Sequence, residues 1–545
     1  KMQKIIKVKV RFTRAVIFLI AFSFLASCVG HQLGKNNSGE YRKGMVVSAN
    51  RIASEVGVEI LKKGGNAVDA AVAVQFALAV VYPNAGNIGG GGFMVYRSAK
   101  GETSTLDFRE KAPAAAGRDM YLDAQGNPIV DKSLHGQLAS GVPGSVAGME
   151  EAHQKYGKLK WEDIVEPSRR LAADGFKITA MQANELNGNK PLFKRLNPLG
   201  TALVKDTKWA EGDILTQTEL SNTLKLIKEQ GRKGFYEGAV ADSIVAEMKR
   251  GGGIISKEDL KAYKAIWRKP VIGKYRGYDV ITMPPPSSGG IALIQLLKSV
   301  EPFPLTRWGF NSDSTVQVMI EAERRVYADR AAHLGDPDFY PVPQEKLIEN
   351  SYVKQRMSTF NWQKASTSAE ISAGEIAPIE HEETTHFSIV DKDGNAVSIT
   401  TTLNGSYGAG VVVKGAGFLL NNEMDDFSVK PGAPNMYGLV GGEANAIAPG
   451  KRMLSSMTPT ILVKDGDLFM VVGTPGGSTI ITSVFQTILN VVDFDMSMQA
   501  AVNAKKFHHQ WLPDNVAVEN KALDSVTTEK LKAKGYVFVH RGRIG

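Results

Sequence analysis

Thr384-Thr385-His386-Phe387-Ser388-Ile389-Val390-Asp391-Lys392-Asp393-Gly394-Asn395-Ala396-Val397-Ser398-Ile399-Thr400-Thr401-Thr402 reads as two strands joined by a tight turn. Thr385 to Val390 forms the first strand and Ala396 to Thr402 the second, and the Asp393-Gly394 pair between them is a strong hairpin signal. If the turn is centred on Asp393, paired residue numbers sum to 786, which sets Thr384 opposite Thr402 on one face. A slip of one residue would put them on opposite faces, and the sequence leaves both registers open. Taken alone, the threonines are ordinary strand residues.

His381-Glu382-Glu383-Thr384-Thr385-His386 overlaps the start of this hairpin and has the residue types of a zinc site. Zinc peptidases need two histidines four apart on one helix face. Here they are five apart and run into strand sequence, so no metal is expected. His508-His509 is read as structural, because adjacent strand side chains point to opposite faces.

Upstream, Arg51 to Lys63 reads as a helix ended by Gly64-Gly65. Asn66 caps a second helix, with Asp69 three residues on. Its Ala70 to Val81 segment is apolar nearly all round, as in a buried helix. Asn87 to Gly92 turns into a strand at Phe93 to Arg97, and a second strand ends just before Arg109. The chain is mainly helical from about 148 to 269. Pro284-Pro285-Pro286-Ser287-Ser288-Gly289-Gly290 then delivers it to a helix at Ile291 to Val300. Residues 361–383 are polar and acidic like an exposed linker, and short strands follow. The mixture predicts an α+β or α/β protein with two sections meeting near residue 384.

The 545 residues are 43% apolar and 22% charged, which excludes disorder, collagen and coiled coil. The single cysteine, Cys28, excludes a disulfide framework and multi-cysteine metal sites. Six basic residues in 1–14 account for most of the +9 net charge, and the remainder carries only +3, so nucleic acid is not an expected partner. That basic run precedes an apolar run from Ala15 to Leu25, as in a signal peptide over residues 1–27. Leu25-Ala26-Ser27-Cys28 resembles a bacterial lipobox, which predicts acylation of Cys28 and a tether over 28–43. An exported, periplasmic, membrane-anchored lipoprotein is expected.

Thr384 to Ser388, the D-K-D-G-N-A-V turn and Thr402-Leu403-Asn404 together resemble the γ-glutamyltransferases. So do L-N-N-E-M-D-D-F at Leu420 to Phe427, Leu454-Ser455-Ser456-Met457 and Pro475-Gly476-Gly477-Ser478. N-I-G-G-G-G-F-M at Asn87, L-D-F-R-E at Leu106 and the P-P-P-S-S-G-G loop match as well. The resemblance runs from about Gly44 to the end, with the motifs in order.

It implies an N-terminal-nucleophile hydrolase: a four-layer αββα sandwich formed jointly by two subunits cut from one precursor. The cut would fall between Glu383 and Thr384, giving a large subunit over 44–383 and a small catalytic subunit over 384–545. Members usually continue for a few tens of residues beyond this point, so the small subunit is expected to be C-terminally truncated. Cutting would free the α-amine of Thr384, whose reference pKa of about 7.7–8.0 suits a base near neutral pH. No G-x-S-x-G elbow occurs in the chain.

The resemblance further assigns Thr402 to assist the nucleophile and Gly476 and Gly477 to the oxyanion hole. Arg109, Ser455 and Ser456 would hold a substrate α-carboxylate, and Asn404, Glu423 and Asp426 its α-ammonium. Tyr437 would close a lid by bonding the residue at Asn404. The implied substrates are glutathione and related γ-glutamyl compounds, with water, an amino acid or a short peptide as acceptor and no cofactor. Two other functions fit the chain less well: a glutaryl-cephalosporin acylase of the same fold, against which Asp426 argues, and a non-enzymatic surface lipoprotein.

Overall fold

A computed structural model describes residues 43–371, 384–430 and 432–545. The leader, Cys28, the tether and Glu383 lie outside the described residues.

The hairpin forms with Thr385–Asp391 and Ala396–Thr402 as its strands. Val390 pairs with Ala396, Ser388 with Ser398 and Thr385 with Thr401, so the register sums to 786 throughout. Asp391 fixes the turn, its Oδ1 accepting from the backbone N–H groups of Asp393 and Asn395 at 3.0 Å each. Such local side-chain bonding selects the turn that sets the pairing.

Around the hairpin lies a six-stranded antiparallel sheet in the order Gly44–Val47, Thr385–Asp391, Ala396–Thr402, Gly91–Arg97, Thr103–Asp107, Ile266–Arg268. The hairpin after residue 384 is inserted between strands from before it, so both sections of sequence build one sheet.

Period-two alternation assigns the faces. Phe387, Ile389, Val397 and Ile399 join a core beneath the Ala67–Val81 helix, which is buried along its whole length. That helix begins at the anticipated capping box of Asn66 and Asp69. Ser388 and Ser398 point the other way and donate to Val471 and Val472 carbonyls at 3.5 and 3.2 Å. Those carbonyls belong to a second sheet, ordered Asp467–Val472, Thr460–Lys464, Tyr278–Thr282, Val271–Tyr275. The helices Gly289–Val300, Asp313–His333 and Ile480–Val492 contribute to the core on that side. The layers are therefore helix, sheet, sheet, helix, the expected αββα sandwich. Among the described residues no helix is long and apolar enough to cross a membrane.

Candidate active site

Thr384 lies just before its strand and Thr402 ends the neighbouring one. Both have the parity of Ser388 and Ser398, so both face the space between the sheets. Each is almost fully buried, and both line one small cavity of about 20 Å³ with Arg109, Asn404, Asp426, Tyr437, Ser455, Ser456 and Gly477. Nine site residues named from sequence thus converge from distant parts of the chain, together with four given no role there, Arg330, Leu439, Met457 and Ile480.

The segment after Thr402 is sharply turned. Asn404 adopts a positive φ of 74° and its N–H donates to the Thr402 hydroxyl at 2.7 Å. Asn87, from the N-I-G-G-G-G motif, holds the Thr402 carbonyl at 2.9 Å. The hydroxyl of Tyr437 donates to the Asn404 carbonyl at 2.7 Å. Asp425 and Asp426 also hold the segment leading to Tyr437: Met436 N–H donates to Asp425 at 2.9 Å, and the Asn435 amide to Asp426 at 3.2 Å.

Gly476 and Gly477 precede the Ile480–Val492 helix through a short 3-10 turn. Their φ values of 131° and 50° are in the range that favours glycine, and a Cβ on Gly477 would lie 2.6 Å from the Tyr437 ring. Among the described residues, neither glycine N–H donates to a protein acceptor. Gly477 lines the cavity, whereas Gly476 does not.

Arg109 follows the Thr103–Asp107 strand and is fully buried. Its guanidinium donates to the Met453 and Leu454 carbonyls at 3.3 and 3.2 Å. It pairs with Glu423 at 2.5 Å and with Asp426 at close contact. The carboxylates expected for a substrate ammonium therefore hold Arg109 directly. Glu423 lies behind the arginine and does not line the cavity. Burial works against the charge of Arg109, but Glu423, Asp426 and Glu110 outweigh it and raise its pKa. Burial pushes Glu423 and Asp426 upward against the attraction of Arg109.

Burial likewise pushes Glu110 up from 4.5 to about 7. Between those values the folded protein keeps a proton that the unfolded chain has released, so stability falls as pH rises through that range and stays lower above it. The shift corresponds to up to about 3 kcal/mol at 1.36 kcal/mol per unit. Glu110→Gln should therefore raise the melting temperature relative to wild type at pH 8, with the gain vanishing near pH 5. An equal change at both pH values would contradict this.

The two serines are braced from the P-P-P-S-S-G-G loop. Ser288 donates to the Ser455 carbonyl through both N–H and hydroxyl, at 2.8 and 2.6 Å, and Ser455 N–H donates to the Pro286 carbonyl at 3.0 Å. No periodicity foretells this clasp; the loop's presence among the matched motifs is its one sequence signal. His508 and His509 bond Thr482, Gln510 and Asp514, and burial lowers both to about 4. Among the described residues no group of three or more His, Cys, Asp or Glu is placed to hold a metal ion.

The family model described as γ-glutamyltranspeptidase matches residues 53–545. The chain belongs to this family. A glutathione hydrolase proenzyme of Escherichia coli strain K12 is 51% identical over 91% of this chain and 85% of its own length. The crystal structure of Helicobacter pylori γ-glutamyltranspeptidase matches with TM-score 0.60 and 46% identity, covering 62% of this chain and 97% of that one. A cephalosporin acylase from Bacillus halodurans superposes with TM-score 0.79 at 26% identity, covering 92% of this chain and 89% of that one. The γ-glutamyltranspeptidase and the cephalosporin acylase thus share this layered fold.

Proposed function

We propose that this chain is the precursor of a self-cleaving γ-glutamyltransferase and glutathione hydrolase with Thr384 as nucleophile. The hairpin register carries this reading, because it brings Thr384 beside Thr402, and both line one cavity with Arg109. In maturation, the Thr384 hydroxyl attacks the Glu383 carbonyl carbon. The peptide C–N bond breaks as an ester forms, and water hydrolyses that ester to a Glu383 carboxylate and a free Thr384 amine.

In catalysis, that amine takes the hydroxyl proton as Oγ attacks the γ-amide carbonyl of the donor. The Gly476 and Gly477 N–H groups receive the developing oxyanion. The C–N bond breaks, the proton passes to the departing amine, and a γ-glutamyl ester remains on Thr384. Water or an acceptor amine then attacks the ester, and Oγ regains a proton. Arg109, Ser455 and Ser456 hold the donor α-carboxylate. Asn404 and Asp426 hold its α-ammonium, and Glu423 supports them from behind Arg109. Tyr437 closes the lid over the bound donor. The same reading includes export to the periplasm, removal of residues 1–27, a lipid anchor on Cys28, and subunits spanning 28–383 and 384–545.

N-terminal sequencing and intact masses of the purified subunits test this. The expected result is a small subunit beginning Thr384-Thr385-His386 and a large one beginning at an acylated Cys28. A different cut site overturns the nucleophile assignment, and an unmodified Cys28 overturns the anchor. Retention of Asp426 favours γ-glutamyl over glutaryl donors, and faster turnover of a glutaryl anilide would favour the acylase instead.

A further inference from the structure

The cavity wall contains a second buried arginine whose situation is opposite to that of Arg109. Arg330 lies near the C-terminal end of the Asp313–His333 helix, where the helix dipole favours a cation. It is 5% exposed and lines the cavity beside Thr384, Arg109, Ser455 and Ser456. Its Nε donates to the Ser288 hydroxyl at 2.9 Å and its Nη2 to the Ser456 hydroxyl at 3.2 Å.

Among the described residues, no carboxylate lies within ion-pair distance of Arg330 and its Nη1 makes no hydrogen bond. Burial holds its pKa below the ordinary arginine value, against the opposing influence of Tyr327 and Asp426.

A buried guanidinium facing only hydroxyls is costly unless an anion joins it. Arg109 already faces two carboxylates, Glu423 and Asp426, which compete with a donor carboxylate for its guanidinium. Arg330, by contrast, has no carboxylate within ion-pair distance among the described residues. The Ser456 hydroxyl, assigned to the donor carboxylate, is held by this same side chain.

We propose that Arg330 is a second carboxylate-binding residue of the donor site. Its free Nη1 edge meets the α-carboxylate of the γ-glutamyl group, and its Nη2 fixes the Ser456 hydroxyl for the same carboxylate. The inference rests on the γ-glutamyl reading of the site.

The test compares two donors on the processed enzyme: a γ-glutamyl anilide and the 4-aminobutyryl anilide, which lacks only the α-carboxylate. Wild type should prefer the first. In Arg330→Met that preference, as a ratio of kcat/KM, should fall about 10- to 100-fold, the worth of a charge-assisted hydrogen bond. The loss should fall mainly on the KM of the carboxylated donor, and Arg330→Lys should recover part of it. A merely structural arginine would lower both donors alike, and an unchanged ratio overturns the proposal. If Arg330→Met fails to process, Arg330→Gln carries the test. It keeps part of the length of the side chain and some hydrogen bonding but removes the charge, and should narrow the ratio about 10-fold with the subunits still formed; an unchanged ratio in that variant overturns the proposal equally. A wild type indifferent to the α-carboxylate would overturn the γ-glutamyl reading itself, and this inference with it.

Discussion

Thr384→Ala should remain one uncut chain and turn over no γ-glutamyl donor. The substitution removes the oxygen required for both peptide cleavage and acyl transfer. It changes little else, because the residue contributes no backbone pair to the Thr385–Asp391 strand. Loss of a covalent nucleophile costs on the order of 10⁶ in kcat, about 8 kcal/mol of transition-state stabilisation. Thr384→Ser keeps the oxygen and should still cut itself, more slowly because the hydroxyl is less restricted about χ1. A denaturing gel over a time course separates the three proteins: two bands for wild type, two appearing late for the serine variant, and one for the alanine variant. Normal cutting of the alanine variant would remove Thr384 from the mechanism.

The prominence of this threonine follows from features near it in sequence. Asp391, Asp393 and Gly394 determine the turn, and the turn determines which threonines meet. The Asn66–Asp69 box and the all-apolar run after it foretell a buried helix for the same reason: the interactions are within a few residues of one another. Arg330 illustrates what local patterns miss. Its helix also carries Glu321, Glu323, Arg324, Arg325 and Asp329, yet all are buried, and remote segments supply partners to them. Ser366 N–H meets Glu321 at 3.0 Å, His509 N–H meets Glu323 at 2.8 Å, and the Gln295 amide meets Asp329 at 3.0 Å. No apolar stripe marks such a helix, since burial depends on groups tens to hundreds of residues away.

Arg109 was legible only as a residue type in a matched motif. Nothing in L-D-F-R-E says that Glu423 and Asp426 will close on it, because that contact spans more than 300 residues. Likewise the serine pair could be named from L-S-S-M, but the Ser288 clasp beneath it is a tertiary fact. The sequence therefore names groups that the fold brings to one cavity, while their charge balance appears only when the chain is folded.

That balance makes Arg109 the other substitution with a large expected effect, and pH should expose the cause. Arg109→Met leaves Glu423 and Asp426 buried without their cation. Breaking a buried pair in this way costs about 3–5 kcal/mol at neutral pH. Both carboxyls are already pushed upward by burial, and Arg109 is what pulls them down. Without it their folded-state pKa values rise further, so the folded variant binds protons that the unfolded chain does not, and its stability falls as pH rises. Arg109→Met should therefore be markedly less stable than wild type at pH 8 and recover much of the difference at pH 5. Arg109→Lys keeps a positive charge but loses the planar fork, and should fold and cut normally. Its kcat/KM for a γ-glutamyl anilide should nevertheless fall about 10²- to 10³-fold, the kinetic equivalent of roughly 3–4 kcal/mol. Thermal denaturation of both variants at pH 5 and pH 8, with initial rates for the lysine form, checks the whole account. A methionine variant destabilised equally at both pH values would mean that lost packing, and not two stranded carboxylates, sets the cost.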